Sequence, residues 1–342
     1  MPTQIQQTPR RPRVLLLGAG GFIGQHIAAA ALRVGLDVLA GPSSIQLDLS
    51  RADPAAWQRL LDPVPDIIIN AAGRTNGTPN QLFEANLVLV TRLLSALELQ
   101  ASQPWLVQLG SAAEYGLTPP QVPVSEAAPC RPVGAYGISK WAATQLLTDS
   151  FAAGTARGVV LRIFNPLGAG QSAATLPGRA TRLLHGAAQA ACSSTLEFGA
   201  LGTWRDYLDV RDVARAAVFA AGLHTDPKPH PALLERPLLN VASGQARRSR
   251  ELVQHLAQIA GFTGQITEQA DHSPRSGALN WQQADIRLIQ ALGWSPLYSF
   301  GDALEGLWNG LSPPACPPLP SKPHLPVRDA PTPSQAFREA TP

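Results

Sequence analysis

The chain has 342 residues, 45% hydrophobic and 15% charged, so it can bury a sizeable core and is too apolar to be disordered throughout. Its formal charge of +3 is small, and Arg10, Arg11 and Arg13 at the N-terminal edge account for that excess. No basic stripe is left to neutralise phosphates, which excludes nucleic acid as a partner.

Residues 1–12 are polar and Pro-containing and read as a disordered leader. The arginines followed by Val14-Leu15-Leu16-Leu17 imitate a secretory signal, but glycines interrupt the apolar run at once. No later segment is apolar for long enough to span a bilayer, so no membrane association is expected. Strand-like runs at 14–17, 37–40, 66–70, 106–109 and 159–164 alternate with helical patterns at 23–34, 54–61, 82–99 and 136–153. That alternation predicts an α/β fold, a doubly wound parallel sheet of the Rossmann type, with residues 13–165 as its core. After Asn165, shorter elements at 195–198, 210–221 and 250–260 predict a smaller substrate-binding lobe over 166–310 that returns in part to the core. The Pro-rich stretch 311–342 has too little apolar content to offset its ordering entropy and reads as a disordered tail. Cys130, Cys192 and Cys316 stand far apart, and neither they nor the histidines have metal-ligand spacing, so no metal is expected. Three reduced thiols suit a cytoplasmic protein. His26, in the first helix, reads as a core or cap residue.

Gly18-Ala19-Gly20-Gly21-Phe22-Ile23-Gly24 lies between a predicted strand and a predicted helix. Gly18 permits a tight turn and Gly21 lets backbone approach a pyrophosphate. Phe22 and Ile23 open the helix, whose N-terminus favours anions, and Gly24 allows close packing. In this context the glycines predict a bound nicotinamide dinucleotide. Where an acidic residue would accept the ribose hydroxyls, the second strand ends instead at Pro42-Ser43-Ser44. Either NAD or NADP fits. The lack of a carboxylate and the hydroxyl of Ser43 favour NADP, with Arg33 or Arg51 near enough in sequence to assist.

Tyr136-Gly137-Ile138-Ser139-Lys140 puts a phenol and an ammonium four residues apart, on one helix face. A free phenol, with a pKa of about 10, is a poor base at neutral pH. A nearby ammonium favours the phenolate, so Tyr136 can exchange a proton with a substrate oxygen while hydride moves at carbon. Ser111, at the end of a predicted strand, can bond the same oxygen.

The glycine spacing resembles that of the short-chain dehydrogenase/reductase superfamily. Ser111 four residues before Tyr115-Gly116, with Tyr136 and Lys140 beyond, is similar to its extended branch, the NAD-dependent epimerase/dehydratase family acting on nucleotide sugars. The resemblance covers about residues 13–309. It includes Leu161-Arg162-Ile163-Phe164-Asn165-Pro166, Arg205-Asp206-Tyr207-Leu208-Asp209-Val210, Asn240-Val241-Ala242-Ser243-Gly244 and Leu292-Gly293-Trp294. It implies that Asp48 and Leu49 lie against the adenine, and that Ala71, Ala72 and Gly73, after Asn70, leave room for the cofactor. It also implies that Asn86 supports the cofactor site, that Lys140 holds the ribose, and that Asn165 and Arg205 meet a substrate diphosphate. An ion pair of Arg205 with Asp209 or Asp212 is the alternative. Arg74 is a candidate for lining the substrate cleft. Where the family's dehydratases carry an acidic pair, this chain has Ala112 and Ala113, which cannot exchange protons.

The expected function is therefore an epimerase or 4-ketoreductase of a nucleotide-diphosphate sugar. The alternatives are a reductase of a non-nucleotide carbonyl compound and a dinucleotide-sensing protein without turnover. The helices at 82–99 and 136–153 resemble those that pair these enzymes into homodimers.

Overall fold

The computed structural model describes residues 10–190, 195–223, 231–268 and 280–310. The tail 311–342, Cys192, Cys316 and most of the leader lie outside these residues. Arg10, assigned to the leader by sequence, instead reaches the fold, its guanidinium donating to Asp66 Oδ1 at 2.7 Å.

The first half runs β1 (Arg13–Leu17), α1 (Phe22–Arg33), β2 (Asp37–Ala40), α2 (Pro54–Leu61) and β3 (Ile67–Asn70). Next come α3 (Pro79–Phe83), a π-helical turn (Glu84–Val88), α4 (Leu89–Glu98), β4 (Trp105–Ser111), a 3-10 turn (Ala112–Glu114), α5 (Gly134–Ala152) and β5 (Arg157–Ile163). The second half comprises β6 (Pro166–Leu167), α6 (Leu176–Ala190), β7 (Thr195–Phe198), β8 (Trp204–Asp206), β9 (Leu208–Asp209) and α7 (Val210–Gly222). It continues with α8 (Pro231–Glu235), β10 (Leu238–Val241), β11 (Ala246–Arg248), α9 (Ser249–Ile259), β12 (Gln265–Glu268), α10 (Arg287–Ala291) and α11 (Phe300–Asn309).

Six parallel strands form the central sheet in the order β10-β5-β4-β3-β1-β2. Their residues are apolar almost without interruption because both faces are covered. On one face Val14, Leu16, Ile67, Ile69 and Val107 pack with Ile27 of α1 and Ala217 of α7. On the other, Leu15, Leu17 and Ile68 pack with Trp57 of α2, Leu93 of α4 and Leu147 of α5. A separate core, including Leu184, Phe198, Tyr207, Leu252 and Leu304, holds the later lobe together.

The chain leaves β1 towards β2 on one side and then crosses to β3 on the other. The direction of winding thus reverses between β1 and β3, and ligands of such sheets bind beyond the carboxyl ends at that point. The sixth strand, β10, and the covering helix α7 both come from the later half of the chain. Sequence reading found α7 but named only Asn240–Gly244 here, as part of the family resemblance and not as a strand, because a four-residue apolar run carries no period.

Trp57 is 1% exposed beneath α4. Trp57→Ala should destabilise the protein by about 3–5 kcal/mol in urea unfolding. Trp57→Phe should cost much less, because the buried indole N–H has no partner among the described residues.

Candidate active site

The cofactor side is built from side chains that are missing. Gly18, directly after β1, has φ +76°, and a Cβ there would stand 2.6 Å from the amide nitrogen of Ala72 after β3. A Cβ on Gly24 would run into the Gly18 carbonyl oxygen, so α1 closes onto its own turn as well as the sheet. Gly21 caps α1, its N–H donating to Gly18 O at 3.0 Å, and no side chain caps the first turn of this twelve-residue helix. Backbone N–H groups at such an end suit a pyrophosphate. Phe22, the first helical residue, stands edge-on to His26, and His26 Nε2 lies 3.0 Å from Ala169 O. His26 thus ties α1 to the loop after β6.

Two asparagines shape the floor. Asn70, fully buried, donates to Gln108 Oε1 at 2.8 Å and accepts from Ala72 N at 3.1 Å, fixing the Ala71–Ala72 bend. Asn86 accepts from Arg74 N at 3.0 Å and donates to Arg74 O at 2.9 Å and Ser139 Oγ at 3.0 Å. Both its amide donors go to protein, and they lock the chain at Arg74 to α5. A π-helical turn puts it there. The single helix expected over 82–99 is in fact interrupted at Glu84–Val88. Such a bulge is common at functional sites and leaves no mark in hydrophobic period. Gly73, φ +154°, has no room for a Cβ, which would meet Asn86 Oδ1 at 2.7 Å and Lys140 Nζ at 3.3 Å.

The reacting groups meet beside this floor. Ser111 is the last residue of β4, two residues further than the strand read from sequence. The first turn of α5 sits on the 3-10 turn after it so closely that a Cβ on Gly137 would stand 2.7 Å from Ala113 O. That contact brings Tyr136 beside Ser111, whose hydroxyl is near enough to favour the phenolate. Burial pushes the phenol above its usual pKa, and Ser111 draws it back. Lys140 is buried and donates to Leu109 O at 3.0 Å. Burial lowers its ammonium to about 8, against the opposing pull of Glu114. Ser111 and Tyr136 thus neighbour each other at the end of β4, and the Lys140 ammonium is held two residues back along that strand, at Leu109 O.

Ser43 is exposed after β2, its hydroxyl accepting from Gln46 N at 3.4 Å, and no carboxylate stands at 41–44. Arg51 is not free to assist there, since Glu84 holds it at 3.1 Å. Asp48 is exposed and accepts from Ser50 N and Oγ, while the Leu49 side chain is buried in the core. Arg74 is exposed next to Gly73. Asn165 spends both amide donors on Asp206 O at 3.0 Å and Gln282 Oε1 at 3.1 Å, and Gln282 donates on to Ala112 O at 3.1 Å. It therefore joins the lobe to the catalytic turn, with only its carbonyl oxygen left to meet a ligand.

Arg205 has neither of the ion pairs held open for it. Asp209 pairs with Arg211 at 2.6 Å and Asp212 with Arg215 at 2.5 Å, while the Arg205 guanidinium donates to Trp204 O at 2.7 Å. Burial without a carboxylate partner pushes its pKa down. In the β8–β11 ladder it stands directly opposite Arg247.

Three residues of the site escaped sequence reading. Asp206, fully buried, accepts from Ser243 N and Oγ, Gly244 N and Ala284 N, and burial raises its carboxyl to about 6. Glu114 and Arg162 form a buried ion pair at 2.8 Å behind Ser111. For Asp206 the adjacent Arg205 drew the attention, and for the pair nothing local in sequence announces a contact 48 residues long. Among the described residues no group of His, Cys, Asp and Glu can hold a metal, and no helix is long and apolar enough to cross a membrane.

Residues 14–232 match the sequence profile of the NAD dependent epimerase/dehydratase family. A dTDP-6-deoxy-L-talose 4-dehydrogenase (NAD(P)(+)) of Kitasatospora kifunensis is 35% identical over 313 residues, 88% of this chain and 96% of that protein. A UDP-glucose 4-epimerase of Azospirillum brasilense is 31% identical, covering 88% of this chain and 91% of that one. The structure of RMD from Pseudomonas aeruginosa complexed with NADPH superposes with a TM-score of 0.76 at 26% identity, over 87% of this chain and 98% of the other.

Gly24→Val should abolish NADPH binding, read as loss of the nucleotide's fluorescence change, because the new methyls fill the space between the Gly18 carbonyl and α1. Gly20→Ala, where a Cβ meets nothing within 4 Å, should bind almost as the parent does.

Proposed function

Because the chain belongs to the NAD dependent epimerase/dehydratase family, as an NAD(P)-dependent oxidoreductase or epimerase of the extended short-chain dehydrogenase/reductase type, we propose that it is a 4-ketoreductase of a dTDP-linked 6-deoxyhexose, working with NADP(H). What supports this reading is Ser111 beside Tyr136 at the end of β4, with Lys140 one helical turn further on and no acid at positions 112 and 113. The site can move one proton at a sugar oxygen but has no carboxyl group at 112 or 113 to drive loss of water. The talose dehydrogenase, similar over nearly its whole length, supports the choice of sugar.

The glycine cradle at Gly18, Gly21 and Gly24 and the clearance at Gly73 fit a dinucleotide lying across the ends of β1 and β3. When bound, the cofactor supplies or accepts the hydride at the sugar carbon. Tyr136 gives its phenolic proton to the carbonyl oxygen in reduction and takes it back in oxidation. Ser111 holds that oxygen, and the Lys140 ammonium stabilises the phenolate. The preference for NADP rests on the absent carboxylate at 41–44, with Ser43 and Ser44 as donors to a 2′-phosphate and Asp48 beside the adenine.

Arg205 is the diphosphate clamp in this reading. A half-buried guanidinium with no carboxylate partner, opposite a second arginine, is an arrangement that an anion relieves. A pair of copies docked along α4 and α5 is the assembly the family resemblance suggests, and Ile138 of α5 remains 39% exposed.

Incubated with a dTDP-4-keto-6-deoxyhexose and NADPH, the protein should oxidise one NADPH for each sugar reduced. A protein that interconverts dTDP- or UDP-sugars on retained NAD, consuming no NADPH, would instead be an epimerase. Tyr136→Phe should lower kcat by about 10²–10⁴ while leaving NADPH binding intact. Arg205→Ala should raise KM for the sugar nucleotide by about tenfold to a hundredfold, the effect of removing a charged hydrogen-bond donor. An unchanged KM would point to a substrate without a diphosphate.

A further inference from the structure

The Glu114–Arg162 pair lies behind Ser111 and neither gives nor takes a proton in the chemistry just described. Ser111 closes β4 and opens the three-residue 3-10 turn. Its hydroxyl accepts from Ala113 N at 3.2 Å, while Glu114 Oε1 accepts from Ser111 N at 2.8 Å. Reciprocal bonds of this kind ordinarily sit at exposed helix starts, where the carboxylate keeps its hydration. Here the carboxylate is 0% exposed, and burying a charge costs several kcal/mol unless an opposite charge meets it. Arg162 of β5 does so, its Nε donating to Glu114 Oε2 at 2.8 Å from a side chain 3% exposed.

Several features serve that pairing alone. Gly110 stands directly across the ladder from Arg162, and a Cβ on it would lie 2.6 Å from Glu114 Oε1. The carboxylate enters only because that position is glycine. The Arg162 guanidinium lies 4.5 Å over the Tyr115 ring, and Tyr115 OH donates to Asn240 Oδ1 at 2.7 Å. Asn240 belongs to β10 and donates to Val124 O and Asp285 O, while its N–H is held by Glu126. A chain of contacts therefore runs from the outermost strand, through β5, to the backbone of Ser111. Arg162 Nη1 has no hydrogen-bond partner among the described residues, so the guanidinium depends on Glu114. The carboxylate also faces the two titrating groups, opposing ionisation of Tyr136 and favouring the charged form of Lys140.

We propose that Glu114, held by Arg162, is the positioning residue for Ser111: it fixes the strand-end amide so that the serine hydroxyl keeps its place beside Tyr136. The inference rests on the role given to Ser111 above. A turn needs no buried ion pair to be capped, whereas a hydroxyl that must meet a phenol within a few tenths of an ångström needs its backbone held on both sides.

A double-mutant cycle on the full chain tests this. Glu114→Met with Arg162→Met removes both charges at similar volume, a change that buried ion pairs often tolerate without loss of stability. With NADPH and the keto-sugar, pair removal should lower kcat by about tenfold with NADPH affinity unchanged. In a Ser111→Ala background it should lower kcat no further, because the pair acts through that hydroxyl. Amide hydrogen exchange in the NADPH complex reads the anchor without any sugar: the segment 111–115 should exchange faster while β3 and the rest of β4 keep wild-type protection. Losses that add to those of Ser111→Ala overturn the proposal, as does a kcat left at the wild-type value. Faster exchange throughout the sheet also overturns it, by marking the pair as merely structural. If the wild-type protein reduces no keto-sugar, the substrate reading fails, and the exchange pattern decides the role of Glu114 by itself.

Discussion

Everything at the catalytic end of this molecule depends on how closely the carboxyl ends of β1 and β3 approach each other. Two backbone segments meet there with no side chain between them, since a single methylene on Gly18 would lie within 3 Å of the Ala71–Ala72 peptide. The crevice at the reversal of winding is therefore bounded by main chain, which presents N–H groups at fixed positions and excludes bulky neighbours. Asn70 and Asn86 hold that main chain in place with three bonds to backbone and two to other side chains. Dinucleotide binding, the seat of Lys140 and the course of the chain past Arg74 all follow from that narrow gap.

Much of this was legible in the sequence where the signal is local. The glycine turn, the four-residue step from Tyr136 to Lys140 and the place of Ser111 at a strand end each follow from short-range geometry, whatever the tertiary context. The boundaries of α1, α2 and β2 agree within a residue for the same reason. What stayed hidden is long-range or aperiodic. The π turn that swings Asn86 inward breaks a pattern that reads as one helix. The last strand of the sheet, Leu238–Val241, is too short to separate from a buried helical turn. The bond from Glu114 to Arg162 joins the turn after β4 to the neighbouring strand β5, 48 residues on.

Asn165 and Arg205 show a different limit. Sequence resemblance located both beside the substrate lobe but did not say which atoms remain available. Asn165 has both donors committed, whereas Arg205 is spared the pairs that its acidic neighbours make with Arg211 and Arg215. The local run of charges from Arg205 to Arg215 looks interchangeable on paper. Its sorting into pairs is decided by the start of α7, which turns Asp209 and Asp212 away from Arg205.

The late arrival of β10 and α7 also bears on how the protein is made. A chain emerging from the ribosome has synthesised the whole glycine turn and the whole Tyr136–Lys140 helix before it owns the strand that completes the sheet. Until α7 is synthesised the side of α1 that packs on it has no cover, and until about residue 241 is released β5 is an open edge. The N-terminal part is thus a recognisable dinucleotide unit in topology without being an autonomous one in biogenesis. Co-translational protection by a chaperone would matter most during the synthesis of that middle stretch.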